Sequence, residues 1–328
     1  MKGMKERIFV THVLPGKGLE ELKKKYEVEV WPERDIGRED LLKKVKGVVG
    51  IVSLLTEEID KELMEAAGNG LKVISNYAVG FDNIDIEEAS KRGIMVTNTP
   101  GMLVEAVAEH TIALMMAVSK RVVEGDSFVR KGKFKGWEPD LLIGTGIMDK
   151  TMGVVGLGRI GRWVARLALG LGMEVIYHSR SRNEEFELAN EVEYRSLREL
   201  LKESDVVSLN VPLSKETEGM IGKEELSLMK KTAILINTAR GEIVNENVLI
   251  EKLEKKKIGG AGLDVYDDET NIPKRLRDLP NVVLTPHTAS ATIEVRLQMT
   301  NLLVKGMKSA LTGRIPKNAV NKEVKIKK

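Results

Sequence analysis

Gly153-Val154-Val155-Gly156-Leu157-Gly158-Arg159-Ile160-Gly161 decides how this chain folds. A short apolar strand pattern, Met152–Val155, runs straight into G-x-G-x-x-G, and apolar residues then recur at helical spacing over Arg159–Leu169. Glycine at position 156 permits a tight turn, glycine at 158 lets a ligand approach the backbone, and glycine at 161 lets helix and strand pack closely. The helix start would present unpaired N–H groups and a partial positive charge to phosphates. Three glycines alone are a weak signal. Set between a strand and a helix, Gly156, Leu157, Gly158, Arg159, Ile160 and Gly161 read as a dinucleotide-phosphate cradle.

Outward from this motif the same alternation continues in both directions, which predicts an α/β fold with parallel strands. Downstream, strand patterns at 174–177, 206–210, 233–237, 259–264 and 281–284 join the first to make six, enough for one dinucleotide-type sheet. Upstream, five more occur at 7–11, 27–31, 47–54, 72–76 and 94–97, the last ending in the breaker Asn98-Thr99-Pro100-Gly101. A long apolar helix is expected over 104–121 and a loop from there to Lys150. The 328 residues suggest two domains, and the final helix, 291–311, is expected to return to the first. The expected division is 1–98 with 289–328 as a discontinuous substrate domain and 99–288 as the dinucleotide-binding domain. The breaks near 98–101 and 286–289 are the expected hinges.

Composition removes several classes of function. There is no cysteine, so thiolate catalysis, disulfides and thiolate metal centres are out. Four scattered histidines (His12, His110, His178, His287) make a His-rich metal centre implausible, and no metal is expected. The net charge of +3 sits in the tail: Lys322–Lys328 holds four lysines and one glutamate, leaving 48 basic and 48 acidic residues before it. A neutral body predicts neither a nucleic-acid partner nor a membrane surface, and the tail reads as a solvated terminus. Met1–Arg7 lacks the apolar core of a signal peptide, and the least polar stretch, 110–119, is about half the roughly 18 residues a membrane span needs. A cytoplasmic protein is expected.

The end of the second strand of the dinucleotide unit speaks to which nucleotide binds. Enzymes selective for NAD place a carboxylate there to accept from the ribose 2′-OH. Here Tyr177-His178-Ser179-Arg180-Ser181-Arg182 offers no carboxylate before Glu184. Ser179, Arg180 and Arg182 suit a 2′-phosphate better, so NADP(H) is favoured with NAD(H) possible; the alternative is a solvated basic loop. Three further stretches lie just past strand ends, where open α/β sheets bind ligands: 237–241 (NTARG), 262–269 (GLDVYDDE) and 286–290 (PHTAS). Arginine can clamp a carboxylate, histidine can move a proton near neutral pH, and a glutamate can orient that histidine. Taken singly each is more often an ordinary surface or structural residue.

Together with Asn76–Asp85 (NYAVGFDNID), Val96–Gly101 (VTNTPG) and Val211-Pro212-Leu213 with Thr217, these motifs resemble the D-2-hydroxyacid dehydrogenase family in order and over nearly the whole chain. Within it, the chain is most similar to glyoxylate/hydroxypyruvate reductases. The resemblance implies a Rossmann-type doubly wound parallel sheet plus a smaller flavodoxin-like α/β substrate domain. It implies catalytic Arg240, Glu269 and His287, with Arg240 on the substrate carboxylate and carbonyl, His287 exchanging the proton and Glu269 holding His287. It assigns Val79 and Gly80 N–H groups to the carboxylate and Leu54 to the pocket wall. Thr238, Ala239 and Asp264 would lie near the nicotinamide and Val211 and Pro212 beside the adenosine, with Thr217 also among the cofactor-binding residues. Trp137 matches a position that reaches a neighbouring subunit in glyoxylate-type members, against plain interface packing, and a homodimer is implied. Thr270 follows Glu269 where the family usually has proline, with Asp267 and Asp268 close by; spacing from Arg240 favours Glu269.

The reaction expected is reduction of a small 2-oxoacid to the D-2-hydroxyacid by hydride from NADPH. The alternatives are a cofactor-sensing protein like the family's corepressor relatives and a formate- or phosphite-type dehydrogenase. A methyltransferase would leave the Arg/Glu/His set unexplained.

Overall fold

The computed structural model describes residues 5–101 and 103–324; Lys325–Lys328 of the basic tail lie outside them. The chain divides into two compact units, Met1–Leu103 with Thr292–Lys328, and Val104–Ala291. Each unit is built on a parallel sheet.

The first unit carries strands β1 (Arg7–Val10), β2 (Glu27–Val30), β3 (Gly50–Ser53), β4 (Val73–Asn76) and β5 (Met95–Thr97) in the order β2-β1-β3-β4-β5. This is the flavodoxin-like order, whose switch point lies between β1 and β3. β3, β4 and β5 are buried along their whole length, as apolar runs covered on both faces require. Helix Ile293–Leu311 packs on β4 and β5 through Val295, Met299, Leu303 and Met307. The Asn318 side chain donates to the Asn98 carbonyl at 2.6 Å, which fastens the returning segment to the end of β5.

The second unit carries β6 (Thr151–Val155), β7 (Glu174–His178), β8 (Glu193–Tyr194), β9 (Val206–Leu209), β10 (Ile234–Asn237), β11 (Gly260–Leu263) and β12 (Val282–Leu284). Their order, β12-β11-β10-β9-β6-β7-β8, is the Rossmann order with one strand added, and every pairing is parallel. Successive residues of each strand feed opposite faces: Val154, Ile234 and Ile236 join one apolar cluster, Val155 and Leu235 the other. β8 is additional to the six strands expected. It is too short and polar to show a strand pattern.

One expectation about the region after Gly101 needs correction. The expected 104–121 helix runs over Val104–Ser119, and a second helix, Val122–Arg130, follows a break where Arg121 adopts φ +54°. Residues 122–130, expected as loop, are therefore helical up to Arg130. The break is enforced at Ser119, whose carbonyl accepts from Thr145 N at 2.7 Å, where a side chain on Gly144 would collide with it. The apolar helix Val104–Ser119 buries Leu114 and Met115 in its own unit, against helix Arg159–Gly170, β10 and β11. A run of exposed apolar side chains follows it: Val122, Val123, Val129, Phe134, Trp137 (84% exposed), Ile143 and Met148.

Candidate active site

The glycine loop lies at the switch point of the second sheet, between β6 and its neighbours β7 and β9. Gly156 has φ +96°, and a Cβ there would stand 2.6 Å from the Asn210 carbonyl oxygen and 2.8 Å from Val211 Cγ1. Gly161 is as tightly placed, its Cβ falling 1.9 Å from the Gly156 oxygen. Gly158 differs: a Cβ there would meet nothing within 4 Å. Two glycines are thus demanded by the protein's own packing and the third leaves room. Helix Arg159–Gly170 begins beside it with no side-chain cap, so its first N–H groups point outward unclaimed by a capping side chain. This cradle fits a dinucleotide pyrophosphate.

At the end of β7 the two arginines part company. Arg182 forks onto Glu187, Nε at 2.9 Å from both carboxylate oxygens and Nη2 at 2.7 Å from Oε2. The Tyr177 hydroxyl donates to the same carboxylate at 2.5 Å and accepts from Asn183 N at 2.7 Å. Burial and the Glu187 carboxylate push the Tyr177 phenol up to about 12. Arg182, expected on the nucleotide, is thus engaged by Glu187 in this structure. Arg180 is exposed, and Ser179 donates to the Ser181 carbonyl at 2.5 Å, bracing the turn that carries it. Thr217 likewise serves its own loop, donating to the Pro212 carbonyl at 2.6 Å and accepting from Ser214 N at 2.8 Å.

The strand ends of β10, β11 and β12 bring the three catalytic candidates into one unit. Asn237, the last residue of β10, accepts from Ala239 N at 3.0 Å and donates to the Arg240 carbonyl at 2.8 Å, setting the turn that presents Arg240. Arg240 Nη1 donates to the Ala239 carbonyl at 2.7 Å. Gly241 must be glycine, because a Cβ would stand 2.0 Å from Tyr266 C. Thr238 shares a hydroxyl contact of 2.9 Å with Thr111 on the helix behind.

His287 sits at φ +51°, a left-handed conformation rare for a residue with a side chain. Its N–H donates to the carbonyls of Asp264 at 2.9 Å and Thr285 at 3.1 Å. The Asp264 carboxylate, with no exposed surface, clamps the rest of the turn. Oδ1 accepts from Thr285 Oγ1 at 2.6 Å and Thr288 N at 2.8 Å, and Oδ2 from Ala289 N at 2.8 Å. His110 Nε2 stands 3.0 Å from Thr285 Oγ1 and 3.5 Å from Asp264 Oδ1. Burial raises the Asp264 carboxyl, but the donors from His110, Thr285, Thr288 and Ala289 outweigh it and hold it below its ordinary value. Asp264, expected beside the nicotinamide, is the buried anchor of the histidine turn in this structure. His110 and Thr285 were missed as parts of it; they meet across 175 residues, and nothing local signals that pairing.

His287 Nδ1 lies 2.7 Å from Glu269 Oε1. The departure at Thr270 explains the loop: Asp268 Oδ1 accepts from Thr270 N at 2.9 Å and its hydroxyl at 2.6 Å, the first a bond proline could not make. Asp268 is occupied in that turn, and Glu269 is the carboxylate that reaches the histidine. With Nδ1 turned to a carboxylate, Nε2 is the atom that can exchange a proton with a reactant.

In the first unit, Leu54, Val79 and Gly80 lie in loops after β3 and β4. The Val79 carbonyl accepts from Asn98 Nδ2 at 2.8 Å and the Gly80 carbonyl from Asn76 Nδ2 at 2.9 Å. Among the described residues neither of their N–H groups makes a hydrogen bond. Also among the described residues, no helix is long and apolar enough to cross a membrane.

Known proteins share this arrangement at sequence and structure level. Residues 112–289 match the family model described as D-isomer specific 2-hydroxyacid dehydrogenase, NAD binding domain. The chain is 50% identical to a glyoxylate reductase of Thermococcus litoralis over 326 residues, 98% of each chain. It is 49% identical to a glyoxylate reductase of Pyrococcus furiosus, covering 99% of this chain and 98% of that one. Among solved structures, an NADPH-dependent glyoxylate/hydroxypyruvate reductase from Sinorhizobium meliloti, in complex with NADP and malonate, is 29% identical with a TM-score of 0.85, covering 99% of both chains. With the glycine cradle, the histidine–carboxylate pair and full-length likeness in agreement, the chain belongs to the D-isomer specific 2-hydroxyacid dehydrogenase family of oxidoreductases.

Proposed function

We propose that the protein reduces a small 2-oxoacid of the glyoxylate or hydroxypyruvate kind to the D-2-hydroxyacid, with NADPH preferred over NADH. The observation that carries this is the His287–Glu269 pair at 2.7 Å, held beyond the same sheet edge as the open glycine loop. When bound, the reduced nicotinamide supplies the hydride that goes to the carbonyl carbon. Protonated His287 gives its Nε2 proton to the carbonyl oxygen as charge develops there, and Glu269 holds the ring through Nδ1. Arg240 binds the carboxylate and stabilises the developing oxyanion with a fork that lysine lacks. The N–H groups of Val79 and Gly80 are assigned to the same carboxylate and Leu54 to the pocket wall. Thr238 and Ala239 are assigned to the nicotinamide side, Val211 and Pro212 to the adenosine.

The preference for NADPH rests on the missing carboxylate between Tyr177 and Asn183 and on exposed Arg180 beside Ser179. A homodimer in the cytoplasm is part of the same proposal. The apolar side chains exposed from Val122 to Met148, Trp137 foremost, are what a second copy would cover. Initial rates with glyoxylate and hydroxypyruvate, NADPH and NADH in parallel, test the activity. Turnover with NADPH exceeding NADH is expected. Turnover with NADH alone would remove the role of Arg180, and bound NADPH with no turnover on either oxoacid would overturn the reductase. Light scattering at micromolar concentration should give twice the chain mass.

A further inference from the structure

The motif 76–85 contains two asparagines that the proposed chemistry leaves without a task. In the structure they stitch two loops together. Asn76, fully buried at the end of β4, accepts from Ser53 Oγ at 3.0 Å, and its amide donates to the Gly80 carbonyl at 2.9 Å and to Asn83 Oδ1 at 3.0 Å. Asn83 Nδ2 then donates across to the loop after β3, to the carbonyls of Leu54 and Glu57, both at 2.9 Å. One half-buried amide thus ties the backbone of Leu54 to the turn that presents Val79 and Gly80. The far side of the Leu54 loop is fixed as well: Glu57 Oε2 accepts from Leu54 N and, at 3.0 Å, from Thr11 Oγ1.

We propose that Asn83 is a positioning residue for 2-oxoacid binding, setting the distance between the Leu54 wall and the Val79–Gly80 N–H groups. This rests on the assignment of those N–H groups to the substrate carboxylate. The chemistry requires such a tie. Two backbone donors recognise a carboxylate only when they are held in register, and loops carrying them are otherwise the most mobile part of a sheet edge. Asn83 suits the task because a primary amide supplies two donors for two carbonyls while its oxygen accepts from Asn76.

Steady-state kinetics with glyoxylate and NADPH, paired with hydrogen–deuterium exchange over residues 52–58 and 77–84, test it. In Asn83→Ala the KM for glyoxylate should rise about tenfold, the effect of losing roughly one net hydrogen bond's worth of positioning. The KM for NADPH should stay within about twofold, because the dinucleotide unit is untouched. Both loop segments should exchange faster. Asn83→Asp keeps the shape and the bond from Asn76 but sets oxygen against two carbonyls, so it should match or exceed the alanine effect at an unchanged fold. Faster exchange with an unmoved glyoxylate KM would overturn the proposal through the assignment of Val79 and Gly80. A raised glyoxylate KM with unchanged exchange would overturn it through the asparagine tie. A parallel rise in both KM values with a lowered melting temperature would reduce Asn83 to an ordinary stabilising residue.

Discussion

The two units solve the same topological problem in opposite ways. Both are parallel sheets whose strand order reverses once, and such a reversal opens a crevice at the carboxyl ends of the strands. In the second unit glycine keeps that crevice open: Gly156 and Gly161 fold the loop back tightly and Gly158 leaves space. In the first unit the crevice between β1 and β3 is filled by the protein itself, with nearly buried Glu57 joining Thr11 to Leu54. A switch point is therefore a geometric opportunity, and the residues at its rim decide whether it becomes a ligand site or a brace.

If the open edge performs chemistry and the filled edge only places backbone, variants should separate accordingly. The largest effect belongs to His287→Ala, which should lower kcat by about 10²–10⁴-fold with little change in NADPH affinity; retained activity would break the scheme at its centre. Next comes Arg180→Ala. It should cut the NADPH-over-NADH ratio of kcat/KM by about 10–100-fold, the value of a charge-assisted bond to a 2′-phosphate. Arg182→Ala should leave that ratio within about twofold and cost little stability, as exposed ion pairs do. On the filled edge, Glu57→Gln should leave kcat intact and lower Tm by about 2–4 °C for each kcal/mol of charge-assisted bonding lost. A large kcat loss there would mean that the first crevice does more than brace.

The smallest effect concerns acid. Asp264 has a folded-state pKa held below its ordinary 3.8, so on acidification the unfolded chain takes up this proton first. Its contribution is complete at neutral pH and is lost as pH falls below 3.8 through the folded value. Asp264→Asn should flatten that part of the stability–pH curve while lowering stability at pH 7; a curve that keeps its acid limb would show that other carboxyls set it.

Most of the fold was legible because buried parallel strands write themselves as short apolar runs, and glycine spacing marks the cradle. Glu193–Tyr194 was not, being two polar-edged residues whose strand character comes only from pairing with β7. Helix Val122–Arg130 was hidden because Gly125, Asp126 and Ser127, all poor helix formers, stand at its centre and none of its residues is buried. The site divides along the same line. Spacing singled out Glu269 over its acidic neighbours, and the structure puts it on His287. The charge of Arg182 is visible in sequence, and its engagement by Glu187, across a turn, is not. Asp264, Thr285 and His110 converge only after three elements have packed, and Asn83 shows its purpose only beside the carbonyls it holds.

The left-handed turn at His287 carries a cost that selection for stability alone would remove. Holding a residue that carries a side chain at φ +51° stores about 1–3 kcal/mol of strain. A glycine would relieve it for about 0.5–1 kcal/mol of extra chain entropy. The more stable protein would then be the one without the proton donor proposed here. Thermal selection and catalytic selection pull this residue in opposite directions, and a screen for heat resistance that ignored turnover would drive the enzyme toward a well-folded dinucleotide binder.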